Sequence, residues 1–109
     1  RNVFCEAVGT FVLVFCILLF GTSGNIPAVG MGSIGAIPVT CLIMAIGMSL
    51  GGATGYAINP ARDLPPRIAH AILPFKSPKR DSGWSYSWVP VAGPFAGAAF
   101  AAVCFILIF

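Results

Sequence analysis

Residues 7–61 contain no Lys, Arg, Asp or Glu, and this long gap in charge constrains the chain more than any other feature. A soluble domain spreads charge along its surface; here hydrophobic residues make up 58% and charged residues 8%, with a mean hydropathy of +0.95. That leaves too little polar surface to cover a soluble globule, so the chain is expected in a lipid bilayer. A helix satisfies its own backbone N–H and C=O groups, which lipid cannot do, and crossing the hydrocarbon takes about 20 apolar residues. Three stretches qualify, near residues 3–20, 38–56 and 88–109. The first carries Glu6 and lacks a basic leader and a small-residue cleavage site, so it reads as a true span rather than a signal peptide. Residues 21–37 are rich in Gly, Ser, Asn and Pro and read as a loop. The expected fold class is an all-α, multi-pass membrane protein.

The charge gap ends at Asn59-Pro60-Ala61-Arg62-Asp63. Asn suits a helix N-cap, and Pro suits the first helical position, where its missing N–H costs nothing. The apolar piece that follows, near residues 60–73, is too short to span and runs into the polar stretch 76–87; it reads as a re-entrant half-helix. A helix N-terminus at membrane depth presents unpaired N–H donors and the positive end of a dipole. Such backbone persists only where it lines a water-filled cavity or is buried in protein, so the motif points to a pore.

Small residues and one carboxylate organise the spans. Gly47, Gly51 and Gly55 repeat every four residues in the second stretch, as Gly93 and Gly97 do in the third, a spacing that lets helix backbones approach closely in lipid. Glu6 is costly: charged groups at the centre of a span cost roughly 2.5–3.5 kcal/mol on insertion scales, so it is expected to have a partner. Thr10, four residues on, shares its helix face. Together they form an acceptor pair suited to the backbone N–H groups of a non-helical segment such as the one before Asn59.

Several classes are excluded. The net charge of +3 comes without the dense basic and aromatic interleaving that nucleic-acid binding requires. Cys5, Cys16, Cys41 and Cys104 show no metal-ligand or disulfide spacing, and neither metal nor cofactor is expected. Ser49, His70 and Glu6 form no nucleophile and base arrangement, so no enzyme is expected. A non-conducting scaffold would leave Arg62 unexplained. A secondary transporter with broken helices stays open, since it too uses half-helix termini near the midplane.

Asn59-Pro60-Ala61-Arg62-Asp63, preceded by a Gly-rich span and by Glu6-xxx-Thr10, and followed by Trp88-Val89-Pro90-Val91-Ala92-Gly93-Pro94, resembles the C-terminal half of a major intrinsic protein of the aquaglyceroporin, or glycerol uptake facilitator, branch. The resemblance covers essentially the whole chain. It implies that residues 1–109 are one inverted repeat of an aquaporin-like fold, three transmembrane helices plus one half-helix. It further implies a missing N-terminal repeat carrying its own Asn-Pro-Ala, assembly as a homotetramer, and a place in the plasma or inner membrane.

The resemblance also assigns roles. The position matching Gly47 is usually His in water-selective relatives, so Gly47 implies room for a carbon chain. Tyr56 matches a commonly aromatic position that contacts CH groups, Arg62 donates to hydroxyls, and Ile43 and Leu13 line the apolar wall. Asn59 donates its amide at mid-pore, supported by Pro60, Ala61 and Asp63, and the carbonyls of Gly55, Tyr56 and Ala57 accept from hydroxyls. Passive conduction of glycerol, small polyols and water is implied, with a strict water channel as the alternative. Protons and cations are excluded by Arg62 and the half-helix dipole, as in aquaporin-type pores generally. Pro65-Pro66 departs from the pattern and is expected to loosen the first turns of the half-helix; Tyr56 stands where Phe is more usual. Arg67, Lys76, Lys79 and Arg80 would place the following loop in the cytoplasm by charge counting, whereas the resemblance places it outside and is followed here.

Overall fold

The computed structural model describes residues 1–22, 34–74 and 81–109. The described residues form four α-helices, α1 (Asn2–Phe20), α2 (Ala36–Leu50), α3 (Pro60–Ile72) and α4 (Val89–Ile108), with a 3₁₀ turn at Trp84–Tyr86 leading into α4. No strand occurs among them. Most of the loop expected over residues 21–37, and Lys76, Lys79 and Arg80 of the polar run, lie outside the described residues.

On α1 the polar side chains of Glu6 and Thr10 face inward. The buried positions of α1 are Glu6, Gly9 and Thr10, while Phe4, Met48, Ile106 and Leu107 stand 71–82% exposed. That distribution suits an apolar solvent, in which large side chains face outward at no cost and polar groups turn inward to find partners. Two stretches, Asn2–Phe20 and Trp84–Ile108, are long and apolar enough to cross a membrane. The main packing is between α1 and α4, and it depends on small residues. A Cβ at Gly93 would lie 2.6 Å from the Glu6 Cβ and 3.0 Å from the Val3 carbonyl, and one at Gly97 would run into the Ala7 carbonyl. The close backbone approach expected of this glycine pair is therefore present. Beyond it the seam fills with rings: Phe11 lies 5.4 Å from Phe100 and Phe15 6.4 Å from Phe105, centroid to centroid, within the range of favourable aromatic pairs.

The second apolar stretch differs from expectation. It was expected to run to residue 56, but the helix stops at Leu50. At 1.5 Å per residue, α2 is about 22 Å long, short of the roughly 30 Å hydrocarbon core. Gly51 and Gly55 each still donate to the carbonyl four residues back, yet the chain then enters left-handed backbone at Gly55, Tyr56 and Ile58. Gly51 and Gly55 thus belong to a link rather than to a helix face. The prolines give a second difference. Helix α3 runs unbroken through Pro65 and Pro66, so the first turns are not loosened; the cost is confined to the carbonyls of Ala61 and Arg62, which those two residues cannot serve as donors.

Candidate functional site

The site is the link 51–59 and the first turn of α3. Asn59 is extended (φ −159°, ψ 118°), and its Oδ1 accepts from the Ala61 N–H at 2.9 Å. Pro60 follows at the start of the helix, so α3 begins as its sequence signals. Asp63 adds a carboxylate to the first turn, where the dipole favours it.

The backbone before Asn59 is irregular and is held by side chains from α1. Glu6, 1% exposed, accepts from the Ala57 N–H at 3.1 Å through Oε1 and from the Ile58 N–H at 2.6 Å through Oε2. Both carboxylate oxygens are thereby used on two successive donors that no helix or sheet ladder satisfies. Thr10 behaves differently from expectation: its hydroxyl donates, to the Glu6 carbonyl at 2.8 Å and to the Ile58 carbonyl at 3.3 Å. The donor suits the site because the link presents an orphan carbonyl as well as orphan N–H groups. Ile58, with φ 43°, is β-branched in left-handed backbone, a conformation that costs on the order of 1–3 kcal/mol and persists only when its surroundings over-determine it. Glu6 and Thr10 bind both sides of that residue and supply the constraint.

Arg62 is fixed by Tyr56 in two ways. Its Nη1 donates to the Tyr56 carbonyl, and its guanidinium carbon lies 4.5 Å from the centroid of the Tyr56 ring, within cation–π range. One of its five donors is thus used on backbone, leaving a planar fork fixed over a ring. The Tyr56 carbonyl, expected among the solute acceptors, is already engaged by this arginine.

Leu13, Ile43, Tyr56, Ala57, Asn59 and Arg62, all singled out from the sequence, line one cavity of about 270 Å³ together with Ile58. Gly47 and Gly55 are not in its lining. Gly47 lies behind Tyr56: a Cβ there would meet the ring at 3.0–3.3 Å. Gly47 and Tyr56 also line a further cavity of about 440 Å³ with Ile43, Met44 and Met48. Gly55 is exposed, with φ 76°. Pro60 and Ala61 form the start of α3, and Asp63 turns away to Arg67, which holds both its oxygens at 2.9 and 2.7 Å. Ile58 and the pairing of Arg67 escaped sequence reasoning. An i,i+4 Asp–Arg pair was legible in principle; nothing local signals an isoleucine with positive φ.

This geometry can be set beside known proteins. The family described as major intrinsic protein matches residues 1–105. Over 104 residues the chain is 57% identical to glycerol uptake facilitator protein 3 of Lactiplantibacillus plantarum, covering 95% of this chain and 41% of that protein. It is 54% identical over 106 residues to the glycerol uptake facilitator protein of Bacillus subtilis, covering 94% and 35% respectively. It is also 48% identical over 106 residues to a D/L-lactic acid transporter of Lactiplantibacillus plantarum, covering 94% and 40%. The chain spans about two fifths of the length of the curated relatives it matches. No solved structure matches it.

Proposed function

The chain belongs to the major intrinsic protein family and is a membrane protein; on that premise we propose that it forms one of two inverted repeats of a passive channel for glycerol and similar small neutral solutes, with water. In this reading α1, the stretch containing α2, and α4 are the spans, α3 is a re-entrant half-helix, and the full-length protein is a homotetramer in the plasma or inner membrane. No catalytic step is involved.

The observation that carries the reading is the composition of the 270 Å³ cavity. One charged fork and one amide stand among Leu13, Ile43, Ile58 and the face of Tyr56. A solute with hydroxyls along one side and CH groups along the other matches such a wall, because the hydroxyls meet donors while the carbons lose no partner. Asn59 and Arg62 donate to the hydroxyls, and free backbone carbonyls of the link accept from them. Arg62 and the N-terminal end of α3 both oppose cations, the barrier described for aquaporin-type pores generally.

Osmotic light scattering on proteoliposomes of the full-length protein tests the proposal. Non-saturating, ion-independent glycerol entry is expected; water flux without glycerol entry would promote the strict water channel, and saturable, ion-coupled uptake the broken-helix transporter. Gly47→His is expected to push Tyr56 into the cavity and lower glycerol passage more than water passage, whereas equal losses would mean that the glycine serves packing alone. Arg62→Val is expected to weaken discrimination among solutes and admit a cation leak while the assembly stays intact by size-exclusion chromatography.

The relative named a lactic acid transporter favours a second reading of the solute range. Undissociated lactic acid shares with glycerol a three-carbon chain bearing oxygens, and nothing in the cavity lining rejects a neutral carboxyl. Uptake that rises as the pH falls toward the acid's own pKa would support it.

A further inference from the structure

A second cavity, of about 430 Å³, adjoins the first and shares Arg62 with it; Asp63, Arg67, His70, Asp81 and Ser82 stand in its lining. Asp63 poses a problem for the filter. A carboxylate directly after Arg62 opposes the positive potential that the arginine and the start of α3 supply, and it competes with the Tyr56 carbonyl for the same guanidinium.

Arg67 removes both difficulties. One turn along α3, its Nε and Nη2 take the two Asp63 oxygens at 2.9 and 2.7 Å, with the two side chains only 14% and 18% exposed. Its Nη1 donates to the carbonyls of Ser82 at 2.6 Å and Gly83 at 2.8 Å, which anchors the pair to the turn before α4. The other charged group in the lining, Asp81, accepts from the Gly83 N–H at 2.8 Å, and the His70 ring meets the Ser82 hydroxyl at 2.9 Å. Among the described residues, two arginines thus face two aspartates, and Arg67 is the one that engages Asp63.

We infer that Arg67 is a positioning residue for ion exclusion: it neutralises Asp63 and holds it away from Arg62, so that Asp63 does not offset the guanidinium over Tyr56. The inference rests on the channel reading above. Without Arg67, the freed carboxylate attracts a passing cation, and the more strongly the lower the local dielectric.

The test measures cation conductance and glycerol flux of the full-length protein in the same liposome preparations. Arg67→Gln is expected to raise cation leak relative to glycerol flux severalfold. Arg67→Lys, which keeps the charge and loses the fork, and the double variant Asp63→Asn/Arg67→Gln, which removes both charges, are expected to stay tight. Gly83→Ala probes the anchor alone. Its left-handed φ of 66° disfavours a side chain, and the new Cβ would lie 2.9 Å from the Arg67 Nη1, so stability is expected to fall while the ion barrier holds. A leak in the double variant equal to that of Arg67→Gln would reduce the pair to a structural clamp and overturn the inference, as would Arg67→Gln tight to cations with glycerol flux intact. A wild-type protein that passes no small neutral solute would overturn the channel reading itself.

Discussion

The α1–α4 seam and the link between α2 and α3 solve the same problem, satisfying backbone in an apolar surround, in opposite ways. In the seam each helix bonds its own backbone, and side chains contribute chiefly by being small: Gly93 and Gly97 let α4 rest on the backbone of α1. In the link three residues have positive φ, and beyond the Gly55–Gly51 bond side chains from elsewhere serve the backbone. Glu6 takes two N–H groups, Thr10 one carbonyl and Arg62 another. Glu6 belongs to both regions, since its Cβ packs where Gly93 lacks one while its carboxylate reaches the link. Regular structure buries a surface cheaply; irregular structure exposes carbonyls and donors to a solute, but only when a buried side chain pins the rest.

The most damaging change should be in the side chain that joins the two regions. Glu6→Ala leaves the buried Ile58 N–H and the half-buried Ala57 N–H without their acceptor, at about 1–3 kcal/mol for a fully buried donor and less for a half-buried one. Thermal unfolding of the detergent-solubilised full-length protein should therefore show a loss of about 2–4 kcal/mol. Glu6→Gln, which keeps one acceptor oxygen, should lose less. If the alanine variant melts with the wild type, the link is not held from α1.

Breaking the seam should cost less. Gly97→Val forces α4 off the Ala7 carbonyl, an overpacking expected to cost about 1–3 kcal/mol or somewhat more, with Gly97→Ala milder; an unchanged unfolding midpoint for the valine variant would mean that the helices do not approach so closely. Asn59→Ala removes the Oδ1 acceptor at the start of α3 and should cost about 0.5–2 kcal/mol, read in the same unfolding experiment beside glycerol flux. A stability loss without a flux change would confine Asn59 to capping. The smallest effect should be at Ser49, whose exposed hydroxyl only bonds back to the Ala45 carbonyl at 2.7 Å; Ser49→Ala should stay within about 0.5 kcal/mol of wild type.

Much of this was legible in the chain itself, because it rests on local rules. The charge gap over residues 7–61 requires an apolar surround, Asn59-Pro60 starts a helix, Gly93 and Gly97 mark a close contact, and Glu6 needs partners because an isolated carboxylate in lipid is too costly. The resemblance to a family added Leu13, Ile43, Tyr56, Asn59 and Arg62, which gather around one cavity. What remained hidden depends on contacts between distant residues. The left-handed backbone of the link is held by Glu6, some fifty residues before Ala57 and Ile58 in the chain. The Tyr56 ring stands against Gly47 because the link folds back over α2, and the Thr10 hydroxyl, which donates to the Glu6 carbonyl, also meets the Ile58 carbonyl. Arg67 acquires its second task only when Ser82 and Gly83 come within reach. Periodicity and composition determine which surroundings a segment needs; which partner meets each irregular backbone group is decided only when the helices pack, because those groups have no local rule that satisfies them.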